Sequence, residues 1–371
     1  MKILVTGGHL TPALSVIDYI LANQKDELIF VGRKFSQDKK QVSQEQTQIE
    51  SRKIPFFFLD GIKTSDLHGL NLVKSIPLFI NSLLQAYQIL KKTKPDVILS
   101  FGGYLALPVA ITGYLRKIPI LTHEQTQVIG FSNRLISKLA SSVAVSFSHT
   151  KELITSNKVV VTGNPLRAQL SAKVAKPTWF KNESALPILY ITGGNQGSKT
   201  INDFVAHNLS WLLENWLIIH QCGNPTKDHD YPAELLAVKK TLPEKLQLRY
   251  FVLPWVEIDQ LAWIYQHADA AFSRAGANTV MELIRFSIPT ILVPLPFSHL
   301  DEQMKNALWY QNLGGAIILP QDQLNSQTTQ AKILNFAKTT KMMRQQIDQQ
   351  LVNHNQEAAA LIYQQLVKIK K

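Results

Sequence analysis

The chain has 371 residues, more than one hydrophobic core normally serves, so we expect two domains. Its 45% hydrophobic and 18% charged residues exclude a disordered or collagen-like chain. A formal charge of +12 makes nucleic acid, anionic lipid and phosphorylated substrates the candidate partners. We expect no nucleic-acid partner, because the sequence has no zinc-finger spacing, no aromatic RNA-binding motif and no Arg-rich arm.

Cysteine usage and hydropathy indicate the compartment. The single cysteine, Cys222, cannot form an internal disulfide and follows an apolar tract typical of a buried strand, which favours a reducing cytoplasm. The apolar segment after Lys2 is too short for an export signal, and the longest apolar run, 106–115, is broken by Pro108. We therefore expect a protein that is soluble or peripheral to a membrane.

The first predicted element is a strand followed by a glycine turn, and the same pattern begins the second half. The sequence ILVTGGH occupies 3–9, and LYITGGN occupies 189–195. In each, a buried parallel strand is followed by glycines that let the backbone turn into a helix. The repetition predicts two α/β domains, each beginning with its own strand, turn and helix.

Strands and helical patterns alternate through the rest of each half, as in a doubly wound α/β fold. Predicted strands lie at 28–32, 95–100, 118–122 and 143–145, and then at 216–220, 249–252, 270–273 and 290–293. A long helical pattern covers 328–371. We expect domains 1–165 and 166–371, with the last helix able to pack back on the first. Ligands of such sheets bind beyond the carboxyl ends of the strands, so two such domains facing a cleft favour a transferase.

The second glycine turn, 193–198, is suited to a pyrophosphate, because it presents backbone N–H groups at a helix N-terminus. It is not a Walker A loop, since Ser198 separates Gly197 from Lys199. An ordinary tight turn between a strand and a helix would contain the same glycines.

A second group of candidate residues lies at 273–282, where a predicted strand ends and a helix begins. Glu282 could accept hydrogen bonds from a ribose diol, while Asn278 and Thr279 could offer N–H groups to a phosphate. Alternatively, Glu282 is a carboxylate favoured by the dipole at the start of a helix. A polar cluster between 294 and 306, which includes Glu302 and Gln303, is suited to sugar hydroxyls.

In the first half, three polar segments follow predicted strands, at 6–9, 102–104 and 123–126. Functional groups of doubly wound folds lie at such strand ends. His9 or Glu124 could serve as a general base. A hydrogen-bonded structural histidine is the alternative for His9.

Two motifs that imitate metal sites are not assigned to one. Asp228-His229-Asp230 lies in a polar loop rather than at a strand end. His123-Glu124 lacks the second histidine of a zinc motif, because Gln127 occupies that position. We expect no metal and no cofactor.

The segment 70–94 combines a broad apolar face with flanking lysines, and Pro77 is expected to start or kink its helix. Such a helix is suited to the surface of an anionic membrane. The same apolar stripe could face the core. The breadth of the stripe favours lipid.

The chain resembles the MurG family of glycosyltransferase family 28. The matching motifs run through nearly the whole chain in order, at 6–9 with 12–14, 102–104, 123–125, 163–167, 193–197, 274–282 and 303–307. The resemblance implies a GT-B fold with two Rossmann-like domains facing a cleft. It also implies inverting transfer of GlcNAc from UDP-GlcNAc to the C4 hydroxyl of the muramyl sugar of lipid I, at the cytoplasmic membrane face. This reaction makes lipid II for the peptidoglycan on which cell shape and division depend.

Site residues follow from the resemblance, position by position. His9 and Glu124 become the candidate bases, and the acceptor faces the turn 6–9 together with Gly103, Tyr104 and His123. Arg167 and the turn 193–197 would stabilise the leaving diphosphate. The residues assigned to UDP-GlcNAc are Thr6, Gly7, Gly8, Thr126, Arg167, Gly194, Asn195, Gln196, Val256, Ala277, Asn278, Thr279, Val280, Met281, Glu282, Glu302 and Gln303.

The chain departs from the family pattern at several of these positions. Thr126 stands where the family has Asn, Asn195 where it has Ser, and Glu302 where it has Gln or His. These changes indicate a divergent member and bear on donor specificity. The alternatives are a GT-B enzyme with another lipid acceptor, a UDP-GlcNAc 2-epimerase, and a catalytically silent partner docked on a membrane.

Overall fold

The computed structural model describes residues 1–34, 43–61, 71–154, 157–181, 184–194, 196–351 and 358–370. The chain forms two compact units, one of Met1–Ala168 with Gln356–Lys371 and one of Gln169–Asn355. The sequence predicts this division after residue 165. Each unit is a parallel sheet flanked by helices, which confirms the predicted α/β class with two doubly wound sheets.

Unit 1 contains a seven-stranded parallel sheet in the order β3-β2-β1-β4-β5-β6-β7 within the described residues. Its strands are β1 Lys2–Thr6, β2 Glu27–Gly32, β3 Phe56–Phe58, β4 Val97–Ser100, β5 Ile120–Glu124, β6 Ser142–Val145 and β7 Val159–Val161. Its helices up to this point are α1 Leu10–Asn23, α2 Gln44–Glu50, α3 Asn71–Thr93, α4 Ala106–Leu115, α5 Phe131–Leu139 and α6 Ser148–Glu152. The middle residues of central strand β1, Ile3, Leu4 and Val5, are apolar and buried because both faces of the strand are covered.

The register of unit 1 brings the polar strand ends to one edge. Thr6 pairs with Ser100, and Ser100 pairs with Thr122 on the next strand. Strand β5 runs from Ile120 through Glu124, so it begins and ends two residues later than the predicted 118–122. The glycine turns and the polar residues that follow these strands therefore lie together.

Unit 2 contains a six-stranded parallel sheet in the order β10-β9-β8-β11-β12-β13 within the described residues. Its strands are β8 Ile188–Thr192, β9 Leu217–Gln221, β10 Tyr250–Leu253, β11 Ala270–Ser273, β12 Thr290–Leu292 and β13 Ala316–Ile318. Its helices are α7 Lys199–Asn215, α8 Tyr231–Lys240, α9 Glu244–Gln247, α10 Ile258–His267, α11 Ala277–Arg285, α12 Glu302–Asn312 and α13 Thr329–Leu351. Short 3₁₀ turns occupy Ala168–Ser171, His299–Asp301 and Gln321–Gln323.

The C-terminal segment returns to unit 1 as helix α14, Ala358–Ile369. Ile362 and Leu366 are buried against the face of the sheet that α1 also covers. The hydroxyl of Tyr363 donates to Asp26, at 2.8 Å. The predicted long helical pattern 328–371 is thus two helices that belong to different units.

Two further features differ from the expectations. Pro77 lies inside α3, which begins at Asn71, so Pro77 does not start the helix. The edge strands β3, β7 and β13 were not predicted, because each is only three residues long. No helix of the described residues is both long and apolar enough to cross a membrane.

Candidate functional site

In unit 1 two glycine turns interlock at the carboxyl edge of the sheet. The N–H of Gly8 donates to the carbonyl of Gly102, at 2.9 Å. A Cβ on Gly7 would lie 2.7 Å from the Cβ of Phe101, and one on Gly103 would lie 2.9 Å from the backbone nitrogen of Gly8. This close approach requires residues without side chains, so both turns are rigidly placed.

His9 follows the first turn and is the residue before helix α1. It makes no side-chain capping hydrogen bond, and it is exposed. The pKa of His9 is lowered, chiefly because surrounding protein removes hydration, while the negative charge of Glu124 opposes the shift. His9 is thus both solvent-accessible and close to enough protein atoms for its pKa to be lowered. Because it is accessible, a ligand can reach it.

Glu124 is buried and holds the loop that leads from β5 to α5. Its Oε1 accepts from the backbone N–H of Thr126 at 3.1 Å and from the Thr126 hydroxyl at 2.9 Å. Its Oε2 accepts from the N–H of Gly130 at 3.1 Å and from the side-chain amide of Asn133 at 3.0 Å. Both carboxylate oxygens are therefore occupied by donors of the loop and of α5.

Asn133 connects the end of β5 with the turn that follows β4, and no motif pointed to it. Its amide also donates to the carbonyl of His123 at 3.1 Å, and its oxygen accepts from the Thr122 hydroxyl at 2.8 Å. A Cβ on Gly102 would lie 2.7 Å from its amide nitrogen. Asn133 thus fixes the end of β5 against the second glycine turn.

His123, predicted to face the acceptor, has no exposed surface. Its Nε2 lies 3.2 Å from the carbonyl of Gly163, and burial lowers the pKa of its ring to about 4. The ring is therefore neutral near pH 7, and its contact is with the protein backbone at Gly163. Tyr104, also assigned to the acceptor, is partly buried, and so is Arg167 near the end of unit 1.

In unit 2 the glycine turn after β8 is closed by its own hydrogen bonds. The N–H of Gly194 donates to the Thr192 hydroxyl at 3.0 Å, and the N–H of Gly197 donates to the Gly194 carbonyl at 3.1 Å. Ser198 caps α7 by accepting from the N–H of Ile201, at 3.5 Å. Gln196 is exposed, and Asn195 lies outside the described residues.

Arg274 braces this turn from the end of β11. Its Nε donates to the Ser198 hydroxyl at 3.1 Å, and one terminal nitrogen donates to the carbonyl of Val293 at 3.2 Å. The other terminal nitrogen donates to the side-chain oxygen of Gln321, at 2.7 Å. One guanidinium thus connects the segments that follow β8, β12 and β13.

Helix α11 begins beside this brace with Gly276 as its cap. Four of the residues assigned to the phosphate and ribose are partly buried: Ala277, Asn278, Thr279 and Met281. Val280 and Glu282 are buried, as is Val256 before α10. Glu282 lies in the second turn and accepts from the Tyr265 hydroxyl at 3.0 Å, so it does not cap the first turn. Tyr265 was not singled out from the sequence.

The loop between β12 and α12 is tied by Gln303. The side-chain oxygen of Gln303 accepts from the N–H of Leu295 at 3.0 Å, and its backbone N–H donates to Ser298 at 3.2 Å. Phe297 has a φ of 65° and is 99% exposed, and two residues before Glu302 are also left-handed. Strain of this kind is concentrated at functional sites. Glu302 itself is partly buried at the start of α12.

The Asp228-His229-Asp230 motif has a structural role. The carboxylate of Asp230 accepts from the N–H of Ala233 at 3.1 Å and caps α8. Among the described residues, no group of three His, Cys, Asp or Glu side chains is placed to hold a metal ion.

Two family models match the chain. The N-terminal domain model of glycosyltransferase family 28 covers residues 5–145, and the C-terminal domain model covers 188–366. Together with the two doubly wound units, these matches define a glycosyltransferase.

Individual relatives narrow the family. A Clostridium botulinum protein named UDP-N-acetylglucosamine--N-acetylmuramyl-(pentapeptide) pyrophosphoryl-undecaprenol N-acetylglucosamine transferase is 31% identical over 92% of this chain and 91% of its own. The crystal structure of Acinetobacter baumannii MurG has a TM-score of 0.70 and 26% identity, and 99% of each chain is covered. The chain therefore belongs to the MurG family of glycosyltransferase family 28.

The fold is shared more widely than the family. The structure of Neisseria meningitidis UDP-GlcNAc 2-epimerase bound to UDP-GlcNAc has a TM-score of 0.64 at 13% identity, with 99% of this chain and 100% of that chain covered. This likeness concerns the fold alone. It agrees with the predicted GT-B fold, which the MurG structure confirms.

Proposed function

We propose that the protein transfers GlcNAc from UDP-GlcNAc to the C4 hydroxyl of the muramyl sugar of undecaprenyl-pyrophosphoryl-MurNAc-pentapeptide, converting lipid I to lipid II for peptidoglycan. The observation that carries the proposal is whole-length membership of a family whose relatives are named for this transfer. Each unit also contains side chains and backbone groups suited to a different part of this reaction.

Unit 2 is proposed to bind the donor. The turn that ends at Ser198 and the start of α11 present backbone N–H groups at helix N-termini, where a diphosphate is favoured. Glu282 is held by Tyr265 and would accept hydrogen bonds from the ribose hydroxyls. The Gln303 oxygen is used by its own loop, so its amide N–H groups would donate to the sugar.

Unit 1 is proposed to bind the acceptor and to supply the base, His9. The acceptor oxygen would attack the anomeric carbon and lose its proton to the imidazole. The bond from that carbon to the diphosphate oxygen breaks, and its electron pair leaves with UDP, which inverts the configuration. A lowered pKa keeps His9 neutral and able to take the proton near neutral pH.

Glu124 is the weaker candidate for the base. Its two oxygens already accept four hydrogen bonds, three from its own loop and one from Asn133 of α5, so a substrate hydroxyl would have to displace one of these donors. We assign it instead to positioning the loop and to supplying negative charge near His9. Arg167 and the helix N-termini would stabilise the leaving diphosphate electrostatically.

Peripheral binding to an anionic membrane at the cytoplasmic face is the proposed localisation. The exposed apolar side chains of α3 and of the end of α4, which pack together, form the candidate surface: Ile76, Leu78, Ile80, Leu84, Tyr87, Tyr114 and Leu115. Basic residues lie at its border, and the guanidinium of Arg116 lies 5.2 Å from the centre of the Tyr87 ring. Apolar contact with cations at the rim is typical of interfacial helices.

The membrane proposal can be tested by vesicle sedimentation. The double variant Leu78→Ser/Leu84→Ser should bind vesicles containing phosphatidylglycerol more weakly than the parent, with an unchanged melting temperature. The matched control is Leu236→Ser/Leu248→Ser, which removes exposed leucines from unit 2. Equal binding by the parent and the double variant contradicts this surface.

The transfer itself is tested with labelled UDP-GlcNAc and a lipid I analogue in detergent. Label in a disaccharide lipid supports the proposal, and UDP release without that product points to another acceptor. Formation of the C2-inverted sugar nucleotide without acceptor identifies an epimerase, and no UDP binding identifies a silent partner. Glu282→Ala should weaken UDP binding about 10- to 100-fold by calorimetry, whereas Glu234→Ala, at an exposed site on α8, should not.

A further inference from the structure

Arg274 is a partly buried cation that has no carboxylate partner among the described residues. Its three hydrogen-bond acceptors are all neutral: the Ser198 hydroxyl, the Val293 carbonyl and the Gln321 amide oxygen. No carboxylate of the described residues forms an ion pair with it. Burial lowers the pKa of its guanidinium, the direction expected when a cation loses hydration.

The position of this charge is also unfavourable in the isolated protein. Ser198 is the cap of the 17-residue helix α7, so the guanidinium lies against the positive end of the helix dipole. Two like charges held together at a partly desolvated place repel one another. An anion bound at the turn would reverse the sign of both interactions.

We propose that Arg274 is a positioning residue that places a fixed positive charge beside Ser198 at the start of α7, to bind the diphosphate of a nucleoside diphosphate and stabilise it as it leaves. This assignment rests on the proposed function, in which unit 2 binds UDP-GlcNAc. Arg274 acts through Ser198 and through its charge. Arg274 belongs to the same unit as the turn, whereas Arg167 belongs to unit 1.

A purely structural role would use the same hydrogen bonds but would not need the charge. Glutamine at this position can still donate to one or two of the neutral acceptors, so Arg274→Gln mainly removes the charge. Arg274→Lys keeps the charge and loses the fork of donors. Arg285→Gln is the matched control, since Arg285 is an exposed arginine at the far end of α11.

The test compares UDP with uridine, which lacks the diphosphate, by calorimetry at several salt concentrations. In Arg274→Gln we expect UDP affinity to fall about 10- to 100-fold, uridine affinity to stay within about twofold, and the salt dependence of UDP binding to weaken. Arg274→Lys should recover part of the UDP affinity. Arg285→Gln should leave both ligands unaffected.

Each other outcome overturns the assignment in a recognisable way. Equal losses for UDP and uridine in Arg274→Gln mean that the residue only stabilises the fold of the site. Unchanged UDP affinity and salt dependence mean that its charge does not act on the diphosphate. If the unmodified protein does not bind UDP, that result contradicts the proposed function itself, independently of the Arg274 variants.

Discussion

The two glycine turns begin with the same residues and are built differently. In unit 1 the Thr6 hydroxyl is buried without a hydrogen-bond partner among the described residues, and the turn is fixed from outside by the turn at Gly102. In unit 2 the Thr192 hydroxyl accepts from Gly194, and the turn is closed by its own backbone. One local pattern is therefore stabilised in two ways.

The difference determines what each turn presents. After the first turn the capping position of α1 holds His9, an exposed titratable side chain with no capping hydrogen bond. After the second turn the capping position of α7 holds Ser198, which caps the helix and is braced by a cation. In the proposed reaction the first turn supplies the base, and the second supplies N–H groups with positive charge. These are the two requirements of a displacement with an anionic leaving group.

The largest effect should come from removing the group that distinguishes the first turn. His9→Ala should lower the turnover number about 10²- to 10⁴-fold, the range typical of a lost general base. UDP affinity should stay unchanged, because the proposed donor site lies in unit 2. Steady-state kinetics and calorimetry check the two parts, with exposed His149→Ala as the control. Turnover close to the parent value would remove His9 from the mechanism.

Alanine substitutions should reveal how tightly the second turn is closed. Gly197 has a φ of 75°, and a Cβ there would lie 2.0 Å from the carbonyl oxygen of Cys222, so Gly197→Ala should destabilise the protein by about 2–5 kcal/mol. Gly194 has a φ of 84° and nothing within 4 Å, so Gly194→Ala should cost only about 1–2 kcal/mol. Urea unfolding measures both, and equal losses would contradict this account.

The smallest effect concerns the negative charge of Glu124, which acts on His9. In the proposed mechanism only neutral His9 accepts the proton, so kcat/KM should rise with pH through a pKa below the ordinary value of histidine. Because the charge of Glu124 raises that pKa, Glu124→Gln should move the acid limb to lower pH. A pH profile of kcat/KM checks the shift, with Glu152→Gln on exposed α6 as the control. A limb that moves to higher pH would show that Glu124 acts otherwise.

Much of the fold could be predicted because central parallel strands are apolar on both faces. The runs at β1, β4, β8 and β11 were therefore recognisable, whereas the three-residue edge strands were not. Helix α3 begins at Asn71, before Pro77, although the proline was expected to start or kink the helix. Proline inside a helix loses one hydrogen bond, and the surrounding turns of α3 continue past it.

The candidate site was predictable in its motifs and less so in its contacts. The sequence offered His9 and Glu124 as alternative bases and assigned His123 to the acceptor, and burial and hydrogen bonding now distinguish the three side chains. Asn133 and Tyr265 were missed, since nothing in their local sequence marks them. Arg274 belonged to a recognised motif, yet its contact with Ser198 joins residues 76 positions apart.

The sequence by itself determined the α/β class, the two starting turns, the polar strand ends and the family, because these depend on local periodicity, on glycine and on ordered motifs. Only the tertiary structure decided which polar groups are exposed, which carboxylate is already saturated and where an unbalanced charge lies. These properties depend on neighbours brought together by the parallel sheets from distant parts of the chain. Desolvation and hydrogen bonding by such neighbours are what turn a polar residue into a base, a support or a source of fixed charge.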